Sequence, residues 1–294
     1  MIQYIEAKSI LSKLQREDKW FGITYNMNLY RGCQHGCIYC DTRSECYGIN
    51  DISKISVKKN ALDLLYKELV SKKKNRATIG TGSMNDPYMP VEQELQLTRR
   101  ALQIIANEKF PVHIITKSNQ VERDTDILQD ISKTYAAVSF TVTTADNSLS
   151  QKIEPYAPPT SERFKAMKLL SEKGIYTGIT MMPILPFIND TKENITAIVT
   201  QAKDAGASYI LPMFGVTLRK GSREYFYKVL DNCFAGIKEK YQSCFGTQYE
   251  CFSQNYRVLT DTFEELCIRL GIEKRMKFYQ PKIYQQQSIL FTNN

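Results

Sequence analysis

At 294 residues, 43% hydrophobic and 24% charged, the chain has the length for a large core and an ordinary globular composition. No apolar run approaches the length of a membrane span, and the opening MIQYIEAKSILSKLQRED has no signal-peptide pattern, so a cytoplasmic protein is expected. The formal charge of +8 points towards an anionic partner, nucleic acid among them.

In chain order, residues 24–29 alternate apolar positions like a strand and lead into a cysteine-rich loop. Residues 60–72 have helical spacing. A short strand is predicted at 77–80, then a helix at 95–107. The run VHIIT at 112–116 reads as a buried strand, 125–133 as a helix and AAVSFTV at 136–142 as a strand. A helix at 161–173 ends at Gly174, a common residue after a helix C-terminus. A strand at 176–182, a helix at 191–205 closed by Gly206 and a strand at 209–214 follow. The regular β-then-α alternation predicts a parallel sheet with crossover helices. About six units fit an α/β fold of the partial (β/α)6 TIM-type barrel kind better than a complete eightfold barrel. Residues 1–19 read as an N-terminal segment and 20–220 as the core. Residues 221–294 read as a C-terminal helical extension, with helices at 224–241 and 256–270 outside the alternation. Barrels and open parallel sheets both place ligands at the carboxyl ends of their strands, so the cysteine loop belongs at the functional mouth.

That loop, RGCQHGCIYC, spaces Cys33, Cys37 and Cys40 as Cys-x3-Cys-x2-Cys. Structural zinc sites and closed electron-transfer clusters take four protein ligands, so three thiolates leave a metal position open to chemistry. Gly32 and Gly36 are expected to let backbone approach the metal. His35 reads as a partly exposed loop side chain, and either it or Cys46 could complete a zinc set. Cys46, Cys233, Cys244, Cys251 and Cys267 lie outside the loop. Without an export signal they read as free thiols rather than a disulfide framework. The last four could form a second cluster, although their gaps match no compact ligand motif.

The loop resembles the signature of the radical S-adenosylmethionine (SAM) superfamily. The blocks NLYRGCQHGCIYCDTRS (28–44), GTGSMNDPYMPVE (80–92), IITKS (114–118), IEPYAPPTSERFKAMKLLSEKGI (153–175) and MMPILPFIND (181–190) are similar to its spore photoproduct lyase-like branch. The resemblance covers about residues 20–220. It implies a [4Fe-4S] cluster on Cys33, Cys37 and Cys40, with SAM chelating the open iron. One electron then yields methionine and a 5′-deoxyadenosyl radical that abstracts hydrogen from a substrate. It also implies a reductant such as flavodoxin or ferredoxin, and a substrate left unidentified, with DNA a candidate.

By position, Tyr39 would lie near the adenine, and Ser83 and Asp86 would sit in the turn that receives the SAM amino group. Asn85-Asp86-Pro87 is also ordinary turn chemistry. Lys117 can pair with the SAM carboxylate or be solvated. Thr141 and Thr143 can contact SAM or serve as strand residues. Arg163 can bind the carboxylate or form a structural salt bridge with Glu154. Spore photoproduct lyases carry a hydrogen-returning cysteine near the end of strand two. Residues 81–86 have none, and the neighbouring Tyr88 is the candidate donor. The reading from another class is a zinc or nucleic-acid-binding module without catalysis.

Overall fold

The computed structural model describes residues 2–16 and 18–281. Six short strands form its parallel sheet: β1 (Tyr25–Met27), β2 (Ile79–Gly80), β3 (Val112–Thr116), β4 (Ala136–Thr141), β5 (Tyr176–Met181) and β6 (Tyr209–Pro212). They pair in sequence order, with Val112 opposite Ala136 and Gly178 opposite Tyr209, for example. Leu11–Lys13 adds an antiparallel edge beside β1. The sheet does not close on itself, which makes it a partial barrel.

The crossover helices are α1 (Ala61–Ser71), α2 (Leu97–Asn107), α3 (Thr125–Ser132), α4 (Thr160–Glu172) and α5 (Lys192–Asp204). Every residue of β4 is buried, as expected of a parallel strand covered on both faces. The helices turn one apolar stripe inward: Ala101, Leu102 and Ile105 of α2 are fully buried. Burial of Leu102 and of Ile105 contributes about 1.5–3 kcal/mol each. Helix α5 starts where Thr191 accepts a hydrogen bond from the Asn194 amide, and the chain then leaves it through Gly206 at φ +77°.

The C-terminal part differs from one helical extension. The segment expected as a single helix over 224–241 is two helices, α6 (Ser222–Cys233) and α7 (Ile237–Phe245). Gly236, at φ +75°, breaks them apart. A ribbon of Gly215–Thr217 and Glu250–Phe252 brackets this pair. Helix α8 (Tyr256–Leu270) then packs on α5, so it supplies the helix of the sixth β/α unit. Residues 215–252 are therefore an insertion at the carboxyl end of β6. The sequence reading also lacked a side sheet, in which Ser56–Lys58 pairs with Gln3–Ile5 and Tyr30–Arg31. No described helix is long and apolar enough to cross a membrane.

Candidate active site

The loop after β1 carries the cysteines to the carboxyl ends of the strands. Cys33, Cys37 and Cys40 line one cavity there with His35 and Tyr39. The loop after β2 contributes Ser83, Met84, Asn85 and Asp86, while Thr116 and Lys117 come from the end of β3 and Thr141 from the end of β4. Four successive strand ends thus converge on the thiols. Among the described residues, no three His, Cys, Asp or Glu side chains close on a single metal-ion position.

Burial and the nearby Asp86 charge push the Cys33 thiol up to about 11. Burial also raises Cys37 strongly, with the Lys117 ammonium acting in the opposite direction. Thiols this reluctant to ionise release their protons to solvent when a metal cation binds, because the cation supplies the missing positive charge. Lys117 has no carboxylate within salt-bridge distance among the described residues, and its Nζ stands 5.7 Å from the centre of the Tyr39 ring. Burial opposes its charge, but the negative charge available on Cys37, Glu154 and Asp86 holds its pKa above the ordinary range.

His35 is not a partly exposed loop residue: it is 1% exposed, with Nε2 3.2 Å from Asp86 Oδ2. Asp86 accepts from the Tyr88 amide at 2.9 Å, the Thr116 hydroxyl at 2.6 Å and the Lys117 amide at 2.7 Å. Burial works against that carboxylate, yet His35 and these donors hold it well below the usual carboxylate range. Both Asp86 oxygens are thereby engaged by protein groups, joining the cysteine loop to the ends of β2 and β3.

Three expected contacts lie off the cavity wall. Tyr88 is fully buried with its hydroxyl 3.0 Å from Asp124 Oδ2, a placement that turns the candidate hydrogen donor into the core. Thr143 is buried past the end of β4, where its carbonyl accepts from the side-chain amides of Asn189 and Asn194. Arg163 is fully buried and paired with Glu154 at 2.6 Å, and it also donates to the carbonyls of Pro158 and Thr141. The structural alternative for Arg163 is the arrangement found.

The glycines of the loop also meet other protein segments closely. A Cβ on Gly32 would lie 2.6 Å from the Lys54 carbonyl, and one on Gly36 would lie 2.7 Å from the Tyr156 ring. The fold does not gather the remaining cysteines. Cys233 and Cys244 are exposed, Cys251 is buried within the insertion, and Cys267 belongs to the main core.

Glu154 was missed as a member of the site. The Tyr39 hydroxyl donates to it, and the residues are 115 apart in sequence, so no local pattern announces the contact. Its one sequence signal was an acid followed nine residues later by an arginine.

A family model of the radical SAM superfamily matches residues 27–198. An uncharacterized protein of Methanocaldococcus jannaschii is 31% identical over 214 residues, 72% of this chain and 77% of that one. A radical SAM Nα-GlyT isomerase of Pseudomonas phage M6 is 23% identical over 62% of this chain and 37% of its own length. The solved structure of spore photoproduct lyase complexed with dinucleoside spore photoproduct is similar in fold. Its TM-score is 0.68 at 14% identity, over 92% of this chain and 79% of that one. With its cysteine signature at the mouth of a partial barrel, this chain is an enzyme that belongs to the radical SAM superfamily.

Proposed function

We propose that Cys33, Cys37 and Cys40 hold a [4Fe-4S] cluster, and that SAM binds beside it in the cavity bounded by Tyr39, Ser83, Lys117 and Thr141. The observation that carries this reading is the meeting in one cavity of three thiols and an ammonium without a carboxylate partner among the described residues. The thiolates of a cluster each take a different iron, so sulfurs arrayed around a cavity suit it without converging on one point. When bound, the reduced cluster and SAM supply a one-electron cleavage that yields methionine and a 5′-deoxyadenosyl radical.

The chain's own residues bind, orient and shield. The Lys117 ammonium receives the SAM carboxylate, a charge-assisted contact in a partly desolvated place. Carbonyls of the loop after β2 accept from the SAM amino group, with the Ser83 hydroxyl nearby. The Tyr39 ring stands over the Lys117 side of the cavity and gives the adenine an apolar face. Asp86 holds His35 and the loop instead of touching SAM. The insertion after β6 packs on Ile38 and Tyr39 and limits the entry of water. A flavodoxin- or ferredoxin-type reductant supplies the electron, and the radical takes hydrogen from an organic substrate. The +8 charge supports an anionic one, DNA included.

Anaerobic reconstitution tests the reading. Roughly four irons per chain are expected, matched by sulfide. Dithionite should then drive release of 5′-deoxyadenosine from SAM, and Cys33→Ala should abolish it. A colourless zinc protein, or full SAM cleavage by Cys33→Ala, would overturn the ligand assignment. For DNA, binding that weakens steeply with added salt is the expected result, and absence of binding removes that substrate.

A further inference from the structure

One short segment runs along residues 35–39 of the cysteine loop. The Ile38 amide donates to the Ile153 carbonyl at 3.0 Å, and the Tyr156 amide donates to the His35 carbonyl at 3.1 Å. The His35 Nδ1 lies 3.4 Å from the Tyr156 carbonyl, and the Tyr156 ring covers Gly36. Between these ties the Tyr39 hydroxyl donates to Glu154. These contacts come from consecutive residues at the end of a short helix, Asn147–Ile153.

Glu154 is the one acid in this segment, and its side chain is fully buried with that of Arg163. Arg163 in turn is held by the Thr141 carbonyl at the end of β4 and by the Pro158 carbonyl. Desolvating such a pair costs several kcal/mol per ion, and an apolar pair of equal volume is often as stable or more so. Packing alone therefore gives no reason for two charges beneath the cysteine loop. The pair does supply a fixed charge arrangement tied to the Tyr39 hydroxyl, between Cys37 and Cys40 in the chain.

We propose that Glu154 is a positioning residue of the iron–sulfur site: it locks Tyr39 through its hydroxyl and, with Arg163, sets the charge that the cluster experiences. The inference rests on the cluster reading above. Arg163 acts through Glu154 and the end of β4 and does not touch SAM. With Glu154 neutralised, the positive charges of Arg163 and Lys117 lose their counter-charge. A surplus of positive charge stabilises the reduced cluster, because reduction makes it more negative. With Arg163 neutralised instead, the uncompensated carboxylate disfavours reduction.

The test is the cluster's midpoint potential, followed by its electron paramagnetic resonance signal in anaerobically reconstituted protein, with iron counted per chain. Glu154→Gln should keep the wild-type iron content and shift the midpoint to a more positive value. Arg163→Gln should shift it the opposite way. Midpoints unchanged in both variants, or shifted in the same direction, would overturn the proposal. If Arg163→Gln does not fold, Tyr39→Phe replaces it, since that variant breaks the hydroxyl tie without changing charge. A larger positive shift in Glu154→Gln than in Tyr39→Phe then supports the charge role, and equal shifts refute it. Wild-type protein that takes up no iron would sink the cluster reading itself, whereas a normal cluster with an unmoved potential sinks the role of Glu154 alone.

Discussion

His113 stands inside the barrel with its Nδ1 3.1 Å from the Phe21 carbonyl and its Nε2 2.7 Å from Ser139 Oγ. A carbonyl only accepts, so Nδ1 carries the proton and Nε2 accepts from the Ser139 hydroxyl, which takes a hydrogen bond from Tyr209. This chain of donors fits the neutral ring. Burial pulls the pKa of His113 down to about 4, below the ordinary value near 6.5. The unfolded chain therefore binds more protons between those values, and stability rises with pH across them. The contribution is complete above about pH 6.5 and is lost as pH falls towards 4, a change on the order of 3 kcal/mol. Urea midpoints measured along that range should show the decline, and His113→Asn should flatten it. A parallel decline in the variant would show that other groups carry the effect. Lys117 makes a second prediction at this scale. If its ammonium receives the SAM carboxylate, Lys117→Ala should weaken SAM binding by about 10- to 100-fold, the worth of one charged hydrogen bond. Iron content should stay at the wild-type level. Unchanged SAM affinity in equilibrium dialysis would remove the contact.

Among the elements, the cysteine loop shows how far local pattern reaches. Its spacing and its place after a strand were legible because both are short-range. The burial of His35 was not, since it depends on Asp86 and Tyr156, which approach from the loop after β2 and the turn before α4. The same loop carries a steric prediction. Gly36 has φ +70°, and its missing Cβ faces the Tyr156 ring. Gly36→Ala should cost about 1–3 kcal/mol through backbone strain and the ring contact. A lower urea midpoint and weaker iron retention are expected, and Tyr156→Ala in the same background should recover only the steric part. Full recovery would mean that the backbone angle costs nothing. The break at Gly236 is a milder case. Helical spacing continues across residues 224–241, but a left-handed glycine stops the hydrogen-bond ladder, and α7 turns back so that Tyr241 packs edge-on against Phe226.

For the whole molecule, the open side of the sheet lies between the Leu11–Lys13 edge strand and β6, and C-terminal segments cover both of its ends. At the carboxyl end the insertion is latched to the cysteine loop's exit. The Glu45 amide donates to the Lys220 carbonyl at 3.1 Å, and the Arg43 guanidinium lies 3.7 Å from the centre of the Tyr225 ring. At the amino end, the stretch after α8 pairs with β6, the Ile210 amide donating to Glu273 at 3.0 Å. It then crosses to Gly22, where Phe278 packs, with the Tyr135 hydroxyl donating to the Lys277 carbonyl at 2.7 Å. Met276 is buried in that crossing beside Tyr209 and Leu211. Met276→Ala should therefore destabilise the fold by about 2–4 kcal/mol. Thermal or urea unfolding would measure it, and a loss below about 0.5 kcal/mol, typical of a surface change, would show the strap to be peripheral.

By itself the sequence determined the six parallel strands, the five helices between them and the three thiols at the mouth. Alternating periodicities, glycine stops and ligand spacing are properties of neighbouring residues. Only the tertiary structure decided that Tyr88 faces Asp124, that Arg163 belongs to Glu154, and that the last helix completes the sixth unit. The first two depend on which groups desolvate a charge or a hydroxyl together, and the third on which apolar faces meet. Buried polar groups must find partners wherever the fold supplies them. The chain therefore announces its thiols locally, while the bed beneath them is assembled from Ile153–Tyr156 and Arg163, more than 100 residues away.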